Sequence, residues 1–126
     1  MDYRLEVVVV PVSDVDRAKA FYADRLGFAV DHDTSPAEAV RVVQLTPPGS
    51  ACSIVIGTGL APMEPGSIKG LQLVVEDMDA AYAELSGRGV ELGEVQELGP
   101  PDSVGYKFVF FGDPDGNSWA VQEIRP

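Results

Sequence analysis

Val12-Ser13-Asp14-Val15-Asp16-Arg17-Ala18 returns 63 residues later as Val75-Glu76-Asp77-Met78-Asp79-Ala80-Ala81, and Pro47-Pro48-Gly49-Ser50 is answered by Pro114-Asp115-Gly116-Asn117 at an offset of 67. Order and spacing are both kept, so the chain is one unit of roughly sixty residues written twice. Outward from the first copy, Leu5 to Val12 is a nearly unbroken apolar run, which suits a strand covered on both faces. Ser13 and Asp14 supply helix N-caps, and Val15, Ala18, Phe21, Tyr22 and Leu26 then recur at helical spacing up to the stop at Gly27. Strands are expected at Phe28–His32, Val40–Leu45 and Ala51–Ile56, giving a βαβββ unit.

Residues 58–69, rich in Gly and Pro, read as the connector between copies. The second copy predicts a strand at Leu71–Val75, a helix at Asp77–Leu85, and strands at Val90–Leu92, Tyr106–Phe111 and Ser118–Ile124. Gly93 to Gly105, with Gly99-Pro100-Pro101, reads as a loop long enough to border a ligand site. The expectation is one domain over 1–126, with module 1 at 4–57 and module 2 at 70–125.

The 126 residues suffice to bury a substantial core. No apolar run approaches the roughly twenty residues of a membrane helix. Met1-Asp2-Tyr3-Arg4-Leu5-Glu6 does not read as a secretory signal. A lone cysteine, Cys52, excludes an intrachain disulfide and fits a reducing cytoplasm. Twenty acidic against nine basic residues give a net charge of −11. Nucleic acids and anionic membranes are bound by cations that neutralise phosphate, so neither is an expected partner.

Val12-Ser13-Asp14 leading into Ala20-Phe21-Tyr22, then Leu26-Gly27-Phe28, and the late Asp113-Pro114-Asp115-Gly116-Asn117 resemble the vicinal oxygen chelate superfamily. That group includes glyoxalase I, extradiol dioxygenases and the bleomycin-resistance proteins. The resemblance covers nearly the whole chain. It implies an α+β fold of two tandem βαβββ modules forming a curled mixed sheet around a cleft, commonly completed or lined at a homodimer interface.

The resemblance also implies where a metal would sit, on the first and last strands of each module. Counting seven residues back from each helix-capping aspartate gives Val7 and Gly70. Counting seven forward from Asp113 gives Ala120, and its repeat partner is Ser53. None of these offers the imidazole, thiolate or carboxylate that Zn, Ni, Fe or Mn requires, so no metal and no other cofactor is expected.

Strand alternation extends this face to Val9, Val55, Gln72, Val74, Ser118 and Gln122. Tyr106 and Phe108 are candidate aromatic walls. Small and apolar residues with a few neutral polar groups suit an organic ligand better than a phosphorylated metabolite. No catalytic residues are assigned. His32, between Asp31 and Asp33, could serve as a general base but reads more simply as an exposed strand-end histidine. Cys52 reads as core filler.

The expected function is metal-independent binding or sequestration of a hydrophobic or aromatic compound, such as an antibiotic, by a resistance-type protein. The alternative is a metal-independent lyase, isomerase or cyclase, with Gln72, Gln122, Ser53 or Tyr106 as hydrogen-bond donors. A third is a degenerate copy with only a structural or regulatory role.

Overall fold

A computed structural model describes residues 1–126. The elements in chain order are β1 (Val7–Val9), α1 (Val15–Ala20) continued by a π-helical turn (Phe21–Arg25), β2 (Ala29–Ala37), β3 (Val40–Thr46) and β4 (Ser53–Thr58). The second module follows as β5 (Leu71–Val75), α2 (Met78–Gly87), β6 (Gln96–Glu97), β7 (Lys107–Gly112) and β8 (Ser118–Glu123). Both copies are therefore βαβββ.

The repeated aspartates do the same work in each copy. Asp14 caps α1 by accepting from the Arg17 N–H at 3.0 Å, and Asp77 caps α2 by accepting from the Ala80 N–H at 3.1 Å. The π turn closes with the Leu26 N–H on the Phe21 carbonyl, and Gly27 ends it at φ +77°, where a side chain would be strained. That turn buries Tyr22 completely.

The strands order as β1-β4-β3-β2 in one sheet and β5-β8-β7-β6 in the other. In each, the first strand runs parallel to the last, and the remaining pairs are antiparallel. The expectation of one curled mixed sheet around a cleft is overturned: these are two separate four-stranded sheets, neither curled nor closed. The physical reason lies in the core. Val10, Val43, Leu45, Ile54 and Ile56 of the first module share one buried cluster with Val109, Phe111, Trp119 and Val121 of the second. Each sheet turns one face to that common core, with α1, its π-helical turn and α2 contributing Ala18, Tyr22, Met78 and Leu85. Strand alternation then points the opposite face of each sheet outward. No hydrogen-bonded ladder joins the sheets.

Further boundaries differ: the strand read from Leu5 to Val12 is only Val7–Val9, and the strand expected at Ala51–Ile56 lies at Ser53–Thr58. Residues 90–92 are not a strand, because Val90 is buried in the core as the chain leaves α2. The module's second strand is instead β6, inside the segment read as a loop, where Gln96 and Glu97 pair with Phe108 and Lys107. β2 runs on to Ala37 and is exposed along its length.

The late Asp-Pro-Asp-Gly-Asn segment latches the modules together. Asp113 Oδ1 accepts from the N–H groups of Asp115 and Asn117, both at 2.9 Å. Asn117 Nδ2 donates to the Pro11 carbonyl at 2.8 Å, across the module boundary. The Asp115 carboxylate accepts from the Ser13 N–H and hydroxyl. No buried side-chain polar atom lacks a partner.

Candidate ligand-binding site

The parallel ladders decide which residues share the outward faces. β1 pairs with β4 so that Val7 lies beside Ser53 and Val9 beside Val55. Their neighbours Val10, Ile54 and Ile56 belong to the core, so Val7, Val9, Ser53 and Val55 face the other way. In the second sheet Trp119 and Val121 enter the core, leaving Ser118, Ala120 and Gln122 on the outward face. Gln72 and Val74 lie beside Ala120 and Gln122 there.

One position differs from the count along the chain. Gln72, not Gly70, stands beside Ala120 as Val7 stands beside Ser53. Four residues separate Val9 from the capping Asp14, but only two separate Val74 from Asp77, so counting from the caps slips by two. Gly70 precedes β5, exposed and with φ +90°. Gln72 brings no anionic or imidazole ligand either.

Metal donors are lacking elsewhere in the chain as well. No group of three or more His, Cys, Asp or Glu side chains converges in a way that could hold an ion. The carboxylate of β8, Glu123, is on the core face, where Oε2 accepts from the Met78 N–H at 2.7 Å at the start of α2. That backbone bond, then Arg125, holds its carboxyl below the usual range. Arg41 and Lys19 likewise hold the Asp33 carboxyl well down. The residues present do not fit a divalent metal of the kind the superfamily resemblance implies.

Aromatic, apolar and neutral polar side chains line the outward faces. Phe108 and Phe110 stack on β7, with ring centroids 6.2 Å apart and planes 7° apart; Phe110 is 40% exposed. Val74, across the same sheet, is 56% exposed. Gln72 Nε2 donates to Gln122 Oε1, and Gln122 Nε2 donates to the Gly105 carbonyl at 2.8 Å, so the two glutamines form one chain. Tyr106 stands just before β7, half-buried and with the Lys107 ammonium 5.8 Å from its ring centroid. Within one chain the first-module residues and the second-module residues lie on different sheets and are not brought together.

His32 is exposed, and its imidazole makes no ion pair or hydrogen bond. Of its flanking carboxylates, Asp33 is engaged by Arg41 and Lys19, and Asp31 accepts from Thr46. Neither orients the imidazole as a base would need. Cys52 is free and half-buried.

Sequence reasoning missed Asp31 and Thr46. Thr46 Oγ1 hydrogen-bonds both the Asp31 carboxylate and, at 2.6 Å, Ser53 Oγ on the outward face. Thr46 could have been found, since alternation along β3 separates it from core Leu45. Asp31 could not, because it reaches Thr46 through an irregularity in the β2–β3 register between Val30 and His32.

Residues 4–121 match the family model of the glyoxalase/bleomycin resistance protein/dioxygenase superfamily. The chain belongs to that superfamily. Among relatives, it is 30% identical to YetH of Bacillus subtilis (strain 168), over 95% of this chain and 98% of that protein. Among solved structures it is similar to TnmS3, an antibiotic binding protein from Streptomyces sp. CB03234, at 34% identity and a TM-score of 0.81, covering 98% of this chain and 97% of that one. A glyoxalase/bleomycin resistance protein from the same organism matches at 35% identity and a TM-score of 0.77, over 95% of this chain and 100% of that one. No helix of the chain is long and apolar enough to cross a membrane.

Proposed function

We propose that this chain is a metal-independent small-molecule-binding protein that binds or sequesters a hydrophobic or aromatic compound, such as an antibiotic, in the manner of a resistance protein. The observation that carries this reading is the residue set at the superfamily's metal positions. Val7, Ser53, Gln72 and Ala120 sit side by side in pairs on the two sheets, without one imidazole or carboxylate among them. The likeness to an antibiotic binding protein, over nearly the full length of both chains, supports it.

The forces needed for such binding are ordinary. The stacked Phe108 and Phe110 offer a flat aromatic platform, and the half-buried Val7 and Val9 and the exposed Val74 offer apolar area. Covering them with a planar ligand removes apolar surface from water, worth about 25 cal/mol per Å² before the costs of association. Ser53, Ser118, Gln72, Gln122 and Tyr106 supply neutral groups that orient the ligand.

A homodimer completes the site in this reading. One chain presents its two outward faces apart, so a ligand is enclosed only if a second copy sets its second-module face opposite the first-module face of its neighbour. The free Cys52 fits a reducing, cytoplasmic setting. Native mass spectrometry of the purified protein against a panel of polycyclic aromatic compounds tests the proposal. Retained one-to-one adducts per chain support it, and the absence of any adduct across the panel contradicts it.

A further inference from the structure

The outward face of the first sheet carries a hydrogen-bonded relay whose polarity can be worked out by counting protons. Thr46 Oγ1 lies between the Asp31 carboxylate and Ser53 Oγ, 2.6 Å from the latter. A threonine hydroxyl has one hydrogen, and a carboxylate only accepts. Thr46 therefore spends its hydrogen on Asp31. The bond between Thr46 and Ser53 must then use the serine hydrogen. Both hydroxyl protons point along the relay toward Asp31, and none is left to face outward.

The consequence is a strip of acceptors. Ser53 Oγ keeps lone pairs and has no proton to offer. No group of the chain donates to it, and Asp31 accepts from Thr46 alone. The surroundings sharpen the effect. Ser53 is 5% exposed and is flanked on its own face by Val7 and Val55, which cannot compete for a hydrogen bond. Asp31 itself is exposed. The carboxylate at one end polarises the chain of bonds, making each oxygen a better acceptor.

We propose that Asp31, Thr46 and Ser53 form a polar anchor that selects aromatic ligands bearing an O–H or N–H donor over those offering only acceptors. This deepens, and rests on, the aromatic-ligand reading above. A ligand edge carrying only ether or carbonyl oxygens would meet acceptors with acceptors and leave its own polar atom unpaired.

Two probes that differ in a single donor, 2-naphthol and its methyl ether 2-methoxynaphthalene, test the anchor by fluorescence titration of the full chain. The unmodified protein is expected to prefer 2-naphthol about tenfold. Asp31→Ala removes the carboxylate that orders the relay and frees both hydroxyls to rotate, so the preference should fall to within about twofold while binding persists. Thermal melts on the variant establish that it is folded. Equal binding of the two probes by the unmodified protein, or an unchanged preference in Asp31→Ala, overturns the anchor and leaves the aromatic-ligand reading standing. Binding of neither probe counts against the aromatic-ligand reading itself. Neutron diffraction of the deuterium-exchanged free protein then decides the relay. Deuterons on Thr46 toward Asp31 and on Ser53 toward Thr46 are expected; a Ser53 deuteron turned outward overturns the inference whatever binds.

Discussion

The Tyr22 hydroxyl, on the helical turn of the first module, donates to the Asp113 carboxylate on the last turn of the second at 2.7 Å and accepts from Trp119 Nε1 at 3.0 Å. The aromatic ring is wholly buried, so this small polar knot lies inside the core that both modules share. It joins sequence positions 91 apart, and with the Asn117 bond to Pro11 it fixes how one module sits on the other.

Tyr22→Phe leaves the packing of the ring intact but strands a buried indole N–H and deprives Asp113 of a donor. Denaturant unfolding should report a loss of about 2 kcal/mol. Burial, and then the adjacent Asp113, raise the Tyr22 hydroxyl above its ordinary range. The folded chain therefore holds a proton that the unfolded chain releases above about pH 10. The contribution is fully present below that pH and is lost as pH rises beyond it. Melts followed into the alkaline range should fall less steeply in Tyr22→Phe than in the parent.

Gln72 is exposed and its amide bonds only the neighbouring Gln122. Gln72→Leu should therefore change stability by no more than about 0.5 kcal/mol. If the glutamine pair orients the ligand, the same variant weakens binding of a polar-edged aromatic compound severalfold. Calorimetric titration together with a melt separates this from a purely structural role, in which the melt moves and binding does not.

Homodimer formation is the expectation most open to direct measurement. Sedimentation at micromolar concentration should give about twice the chain mass of 13.4 kDa. Phe110→Glu, at an exposed position on the second outward face, should shift the protein toward monomer and abolish enclosure of a ligand. A monomer at all accessible concentrations would remove the two-copy site.

The repeated Asp14 and Asp77 made both helix starts legible, because a capping aspartate before an apolar stripe is a local signal with a local cause. β5 was readable at both ends from its apolar run between Gly70 and Glu76. Alternation along β8 sets Ala120 and Gln122 on the face opposite the core residues Trp119 and Val121. The failures have a common origin in relations between distant segments. Nothing local in the sequence tells that Ile54 and Trp119 meet in one core, and it is that meeting which turns the two sheets outward instead of curling them around a cleft. The two-residue slip from Gln72 to Gly70 arose because the β1–α1 and β5–α2 connections differ in length. Val90 to Leu92 read as a strand on apolar content alone, although Val90 serves the core and the backbone pairing falls to Gln96 and Glu97.

Whether ligand binding depends on a metal is the question on which the functional reading turns. The direct measurement is a titration with 2-naphthol before and after exhaustive dialysis against a chelator, with elemental analysis of both samples. The residues Val7, Ser53, Gln72 and Ala120 predict the same affinity in both samples and no stoichiometric transition metal in either. A near-equimolar metal in the first sample, with binding lost on chelation and restored by adding that metal back, would contradict it.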